Sequence, residues 1–174
     1  MHWMQDGLAL IDPYIATYGS FAIFVIIYFE ALGAPLPGES ALVAIAALAT
    51  RGDVDLAHAL IGAFCGAVLG DSTGYAIGHF GGRPLLLRYG SWIKLTPERL
   101  GKLEELFHKR GIWIVMTARF FAILRQLNGL IAGAVAMPWL HFLAANTIGA
   151  AAWVLVWGVG PYVAVDWFRT LLHH

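Results

Sequence analysis

Apolar residues fill four long stretches of the chain, 13–50, 56–82, 111–136 and 137–165, and charges are rare within them. Each stretch is punctuated differently, and the punctuation predicts the elements. Residues 1–19 hold a short amphipathic helix over 3–17. There Asp12-Pro13 supplies a capping side chain and a proline at the first helical position. Trp3 and Tyr14 suit a membrane interface, and Gly19-Ser20 breaks the segment. Residues 20–50 are apolar but broken by Gly33-Ala34-Pro35-Leu36-Pro37-Gly38. Two prolines and two glycines in six residues cannot continue a helix. The legs on either side, 20–32 and 39–50, each rise only about 20 Å, short of the ~30 Å hydrocarbon layer. The segment therefore predicts a re-entrant hairpin with its tip near the bilayer midplane, or one badly broken span. Non-helical backbone at that depth needs protein or a cavity around it.

Residues 57–81 are long enough for a true span. Residues 83–110 are polar and basic. Within them Thr96-Pro97-Glu98 starts a helix. Leu100, Leu103, Leu106 and Phe107 recur at helical spacing, opposite Lys102, Glu104, Glu105, His108 and Lys109. That pattern predicts an amphipathic surface helix ended by Gly111. Residues 112–136 read as a second re-entrant hairpin, and 139–165 as a second span bounded by Trp139 and Trp167. The order is surface helix, hairpin, span, twice over, in one membrane domain covering 1–174. If both hairpins return, the halves have opposite orientation, as in transporters built from inverted repeats with facing tips. The fold class is thus all-α integral membrane, pseudo-symmetric in outline.

Composition agrees. Of 174 residues, 59% are hydrophobic and only 13% charged, and the mean hydropathy is +0.70. A soluble domain this small cannot hide so much apolar surface. Nucleic-acid binders, disulfide scaffolds and disordered tails are excluded. Cys65 is alone, and no His/Asp/Glu trio has metal-ligand spacing, so neither a metal nor a cofactor is expected. Charge is zero overall but unevenly placed. Residues 1–50 contain no Lys or Arg, whereas 83–110 contain seven against three acids. By the positive-inside rule, 83–110 faces the cytoplasm of a multi-pass protein in the cell (inner or plasma) membrane. No cleavable signal peptide is visible.

Five ionisable residues lie inside apolar stretches: Glu30, Glu39, Asp71, Arg119 and Arg125. Each costs roughly 2.5–3.5 kcal/mol at a helix centre. One explanation is structural ion pairing between the hairpins. The other is a site in a wet cavity, and the two can coexist. Glu30 and Glu39 flank the first break, and Arg119 and Arg125 flank the second. Facing tips would set two carboxylates against two guanidiniums, with Asp71 nearby. Three acids against two bases leave one charge that a proton can neutralise. A guanidinium fork suits phosphate oxygens. An anionic ligand could displace the carboxylates, which could then take protons.

Glu30-x-x-Gly33-x-Pro35-x-Pro37-x-Glu39 resembles the signature of the DedA family, also called VTT or SNARE-associated membrane proteins. Gly70-Asp71-x-x-x-Tyr75-x-x-Gly78-x-x-Gly81 resembles its second motif. Arg119-Phe120 followed by Arg125, Ala132-Gly133 and Met137 resembles its third, and Asn146-x-x-Gly149-Ala150-x-x-Trp153 its last. Together they cover residues 20–160. The resemblance implies facing re-entrant hairpins and lipid movement across the membrane, with undecaprenyl phosphate or a phospholipid as substrate and a link to the proton-motive force. It puts the acidic pair on Glu30 and Glu39 and the essential arginines on Arg119 and Arg125. It gives Gly33, Pro35, Pro37, Gly38, Gly70, Tyr75 and Asn146 tip and packing roles. Two positions depart: Ala122 stands where the family often has proline, and His79 where arginine often follows Gly78.

Catalysis is not expected. No Ser-Gly-His occurs, and no Asp follows His141 within the last span, so the pattern of integral phosphatases is missing. His141 and His79 read as interfacial. Tyr75, four residues after Asp71, either orients that carboxylate or packs. Gly62, Gly66, Gly70 and Gly74 form a smooth stripe that packs within the monomer or makes a homodimer. The rival functions are a proton-coupled ion or small-molecule antiporter and a non-transporting scaffold.

Overall fold

The computed structural model describes residues 19–89, 96–164 and 167. The predicted helix over 3–17 lies outside the described residues. Every described element is helical. Helix α1 covers Gly19–Leu32, α2 Gly38–Ala49, α3 Leu56–Tyr89, α4 Pro97–Ala118, α5 Ala122–Ala134 and α6 Trp139–Val154, extended through a π-helical turn at Leu155–Val159. Among the described residues, two helices are long and apolar enough to cross a membrane, Leu56–Gly82 and Trp139–Ala164.

Local chemistry explains the breaks. Gly33 ends α1 at a φ of +122°, where glycine is favoured. Its N–H bonds to the Glu30 carbonyl at 3.1 Å and the Ala34 N–H to that of Phe29 at 2.9 Å, the two bonds of a Schellman end. Pro35 and Pro37 then prevent α1 from resuming. The cap of α3 is Asp55, whose Oδ1 accepts the His58 N–H at 3.1 Å. That backbone hydrogen bond, followed by one from the His58 side chain, lowers the Asp55 pKa below the usual aspartate value. The second break falls at residues 119–121, between α4 and α5. Proline is therefore not needed there, and Ala122 opens α5 after an extended Phe121.

The surface helix ends where Gly111 predicts. The backbone leaves the helical region at Arg110 (φ −136°, ψ 18°), and a second helical segment runs from there to Ala118. Helix α4 is thus a polar surface helix and the first leg of the second hairpin, joined across a kink. Two exposed pairs support the polar part, Lys102 to Glu98 at 2.9 Å and Lys109 to Glu105 at 2.7 Å.

The glycine stripe of α3 is used inside the monomer. A methyl on Gly62 would stand 2.7 Å from the Ser20 carbonyl oxygen, and one on Gly66 2.5 Å from that of Phe24; Gly70 faces Tyr28. These contacts advance in the same sense along both helices, so α1 and α3 run parallel. Further along, Gly129 and Gly133 of α5 meet the backbone of Asp71–Tyr75 and Tyr75–His79, and α5 is parallel too. Small residues let the three backbones approach closely. Gly66→Leu should cost about 1–3 kcal/mol, because its neighbour is backbone and cannot move aside. Gly101→Ala should instead add about 0.4–1 kcal/mol, since open space surrounds that helical position. Thermal unfolding of the two purified variants against the parent checks both signs.

Candidate functional site

The packing of α1, α2, α3 and α5, with the turn at 119–121, brings the five interior charges together as two hydrogen-bonded clusters. In the first, the Arg125 fork spans two carboxylates. Nη2 donates to Glu30 at 2.6 Å and Nη1 to Glu39 at 2.8 Å. Glu30 Oε1 also accepts the Gly38 N–H at 3.1 Å, so this carboxylate caps α2 across the tip. The Arg125 guanidinium stands over the Trp153 ring, 5.0 Å from its centroid. Such a contact is worth roughly 2 kcal/mol when desolvated. The partners differ in accessibility. Glu30 and Arg125 are buried, whereas the Glu39 side chain is 34% exposed. The cluster therefore opens at Glu39.

In the second cluster Arg119 donates to Asp71 and to the Asn146 side-chain oxygen. Asn146 in turn donates to the Val68 carbonyl at 3.2 Å, which ties α6 to α3. Arg119, Asp71 and Asn146 are all buried. Asn128 donates to the Val115 carbonyl at 3.1 Å and braces the two legs of the second hairpin.

The sequence had placed two carboxylates against two guanidiniums with Asp71 beside them. All five meet, but as a 2:1 and a 1:1 set rather than one square. Tyr75 does not orient Asp71. Its hydroxyl donates to the Met137 carbonyl, and its ring stacks on Phe142 and His79. Asn146 is a ligand of Arg119 as well as a packing residue. Asn128, which braces the hairpin, and Trp153, which lies under Arg125, are not among the candidate site residues the sequence points to. An asparagine in an apolar run was a usable signal for the first. A tryptophan in an apolar span gave none for the second.

Several buried polar atoms here lack a protein partner: Glu30 Oε2, Asp71 Oδ1, Asn128 Oδ1, the Trp153 indole nitrogen and the Nε of both arginines. Leaving such atoms unsatisfied costs about 1–3 kcal/mol each. Their concentration around the two clusters suits a polar guest or hydration rather than a dry core.

The VTT domain model matches residues 36–161. The chain is 37% identical over 156 residues to "Uncharacterized membrane protein slr0232" of Synechocystis, covering 90% of this chain and 72% of that one. It is 40% identical over 153 residues to "Uncharacterized membrane protein Rv2637" of Mycobacterium tuberculosis, covering 86% and 70%. It is 32% identical over 174 residues to "Protein DedA" of Escherichia coli, covering 93% and 79%. No solved structure matches.

Proposed function

The chain belongs to the VTT-domain family of membrane proteins, which includes DedA, and from that premise we propose that it carries a phosphate-bearing lipid across the bilayer. The substrate is undecaprenyl (polyprenyl) phosphate or a phospholipid, and transport is linked to protons. The protein is a carrier, not an enzyme, of the inner or plasma membrane. Helices α1–α2 and the 111–134 pair act as re-entrant hairpins of an inverted repeat. Their lengths support this: α1 with 14 residues and α2 with 12 reach only about 21 and 18 Å.

One observation carries the reading. Arg125 holds one buried carboxylate, Glu30, fixed by a backbone N–H, and one accessible carboxylate, Glu39. The fork has a permanent partner and an exchangeable one. A phosphate oxygen competes for the donor now given to Glu39, because both are charge-assisted acceptors. The released carboxylate then gains a reason to take a proton, since its counter-charge has gone.

Reconstitution into liposomes with a panel of labelled lipid phosphates tests this. Glu39→Gln should keep the fold, lower transport and flatten its response between pH 6 and 8. Unchanged rate and pH response would reject the proton role. Orientation is tested separately. On a Cys65→Ser background, a cysteine at Asp53 should react with an impermeant reagent in intact cells, and one at Lys102 should not. The reverse labelling would end the inverted-repeat arrangement with residues 83–110 in the cytoplasm.

A further inference from the structure

A second polar site lies away from both clusters, where α4 kinks at Arg110 and meets the start of α6. A cavity of about 470 Å³ opens there. Along the leg, the nine residues from Arg110 to Arg119 span about 13 Å, so the cavity sits toward the water-facing end of the second hairpin. His108, Lys109, Arg110 and His141 line it, and among the described residues no acidic side chain does. All four are exposed. Lys109 has Glu105 as its partner. Arg110 forms no ion pair with an acid among the described residues. Gly111 and Met137 close the back, where the Met137 side chain would lie 3.2 Å from a methyl on Gly111.

The mouth is not purely polar. Ile112 and Trp113, 41% and 68% exposed, stand beside the basic residues on the leg. Tryptophan with adjacent cations is the composition of a membrane–water boundary. We infer that this cavity binds the phosphate headgroup of an anionic lipid, with the acyl chains lying along Ile112 and Trp113. The two fixed cations neutralise the phosphate, and Arg110 offers its fork. A free phosphate ion would use the cations but leave the apolar lip unmatched, so the lipid is the better occupant. The site needs the chain to sit in a bilayer but does not need it to translocate lipid.

The test uses the full chain, purified in neutral detergent. It is titrated with dioctanoyl phosphatidic acid or dioctanoyl phosphatidylcholine, and bound lipid is read by native mass spectrometry. Phosphatidic acid should bind at least tenfold more tightly than phosphatidylcholine. The double variant Lys109→Gln/Arg110→Gln should lose at least tenfold of that affinity, and Arg110→Gln alone a smaller part. Because both residues are exposed, melting temperatures should match the parent; should the double variant misfold, the single one decides. Arg125→Lys should keep the part of this binding that Lys109→Gln/Arg110→Gln removes, which separates the site from the transport cluster. Equal affinity for both lipids overturns the proposal, as does unchanged binding in the Lys109/Arg110 variants. Loss confined to Arg125→Lys overturns it too while leaving the transport reading intact. Displacement of phosphatidic acid by inorganic phosphate at equal concentration would overturn the lipid assignment.

Discussion

Asp71→Leu should destabilise the protein by about 3–5 kcal/mol, the usual cost of removing one partner from a buried ion pair. Asp71 is fully buried and Arg119 is 1% exposed, so the stranded guanidinium is out of contact with bulk solvent. Asn146 remains as an acceptor, but a neutral amide does not replace a carboxylate charge. The double variant Asp71→Leu/Arg119→Met should recover most of the loss, because an apolar pair of similar volume needs no charge compensation. The two sites contact each other, so the effects should be strongly non-additive. Thermal unfolding and the monodisperse fraction of the purified variants read both numbers. A loss under about 1 kcal/mol for Asp71→Leu would mean that water solvates Arg119. A double variant no better than the single one would mean that Arg119 does more than balance Asp71.

Arg125→Lys should abolish lipid-phosphate transport while the protein stays folded. Arg125 reaches Glu30 and Glu39 with two different nitrogens and lies over Trp153. An ammonium is one point charge on a flexible stem, so it cannot hold both carboxylates in one plane. Losing one charge-assisted hydrogen bond costs about 1.5–3 kcal/mol, roughly ten- to a hundredfold in headgroup affinity. Arg119→Lys should fail as well. If the arginines only balance the acids, lysine should substitute and flipping should persist. Flipping by monodisperse variants in liposomes decides between the two, and near-normal rates in both would reject headgroup recognition.

Much of this molecule was legible along the chain, because its cues are local. Apolar length marks Leu56–Gly82 and Trp139–Ala164 as the helices able to cross a membrane among the described residues. The Gly33–Gly38 run stops α1 through a positive φ and two prolines, effects that act within a few residues. Charges in apolar stretches are costly wherever they end up, so Glu30, Glu39, Asp71, Arg119 and Arg125 stood out without coordinates. The stop at Gly111 is a local cue of the same kind: the backbone leaves the helical region at Arg110, one residue before it, and a new helical segment starts beyond.

Only the tertiary structure decided who pairs with whom. Arg125 meets Glu30 across 95 residues of sequence and Glu39 across 86, and Arg119 meets Asp71 across 48. Those partnerships follow from how closely α1 and α5 approach α3, which the glycines permit but do not orient. Register between helices is set by the sum of many small packing contacts, and no single residue announces it. The same packing left Glu39 accessible and buried Glu30, although the two carboxylates are chemically alike and sit symmetrically about one turn. Sequence alone determined that this protein holds charges within a membrane domain; packing decided which of them are buried and which stay accessible.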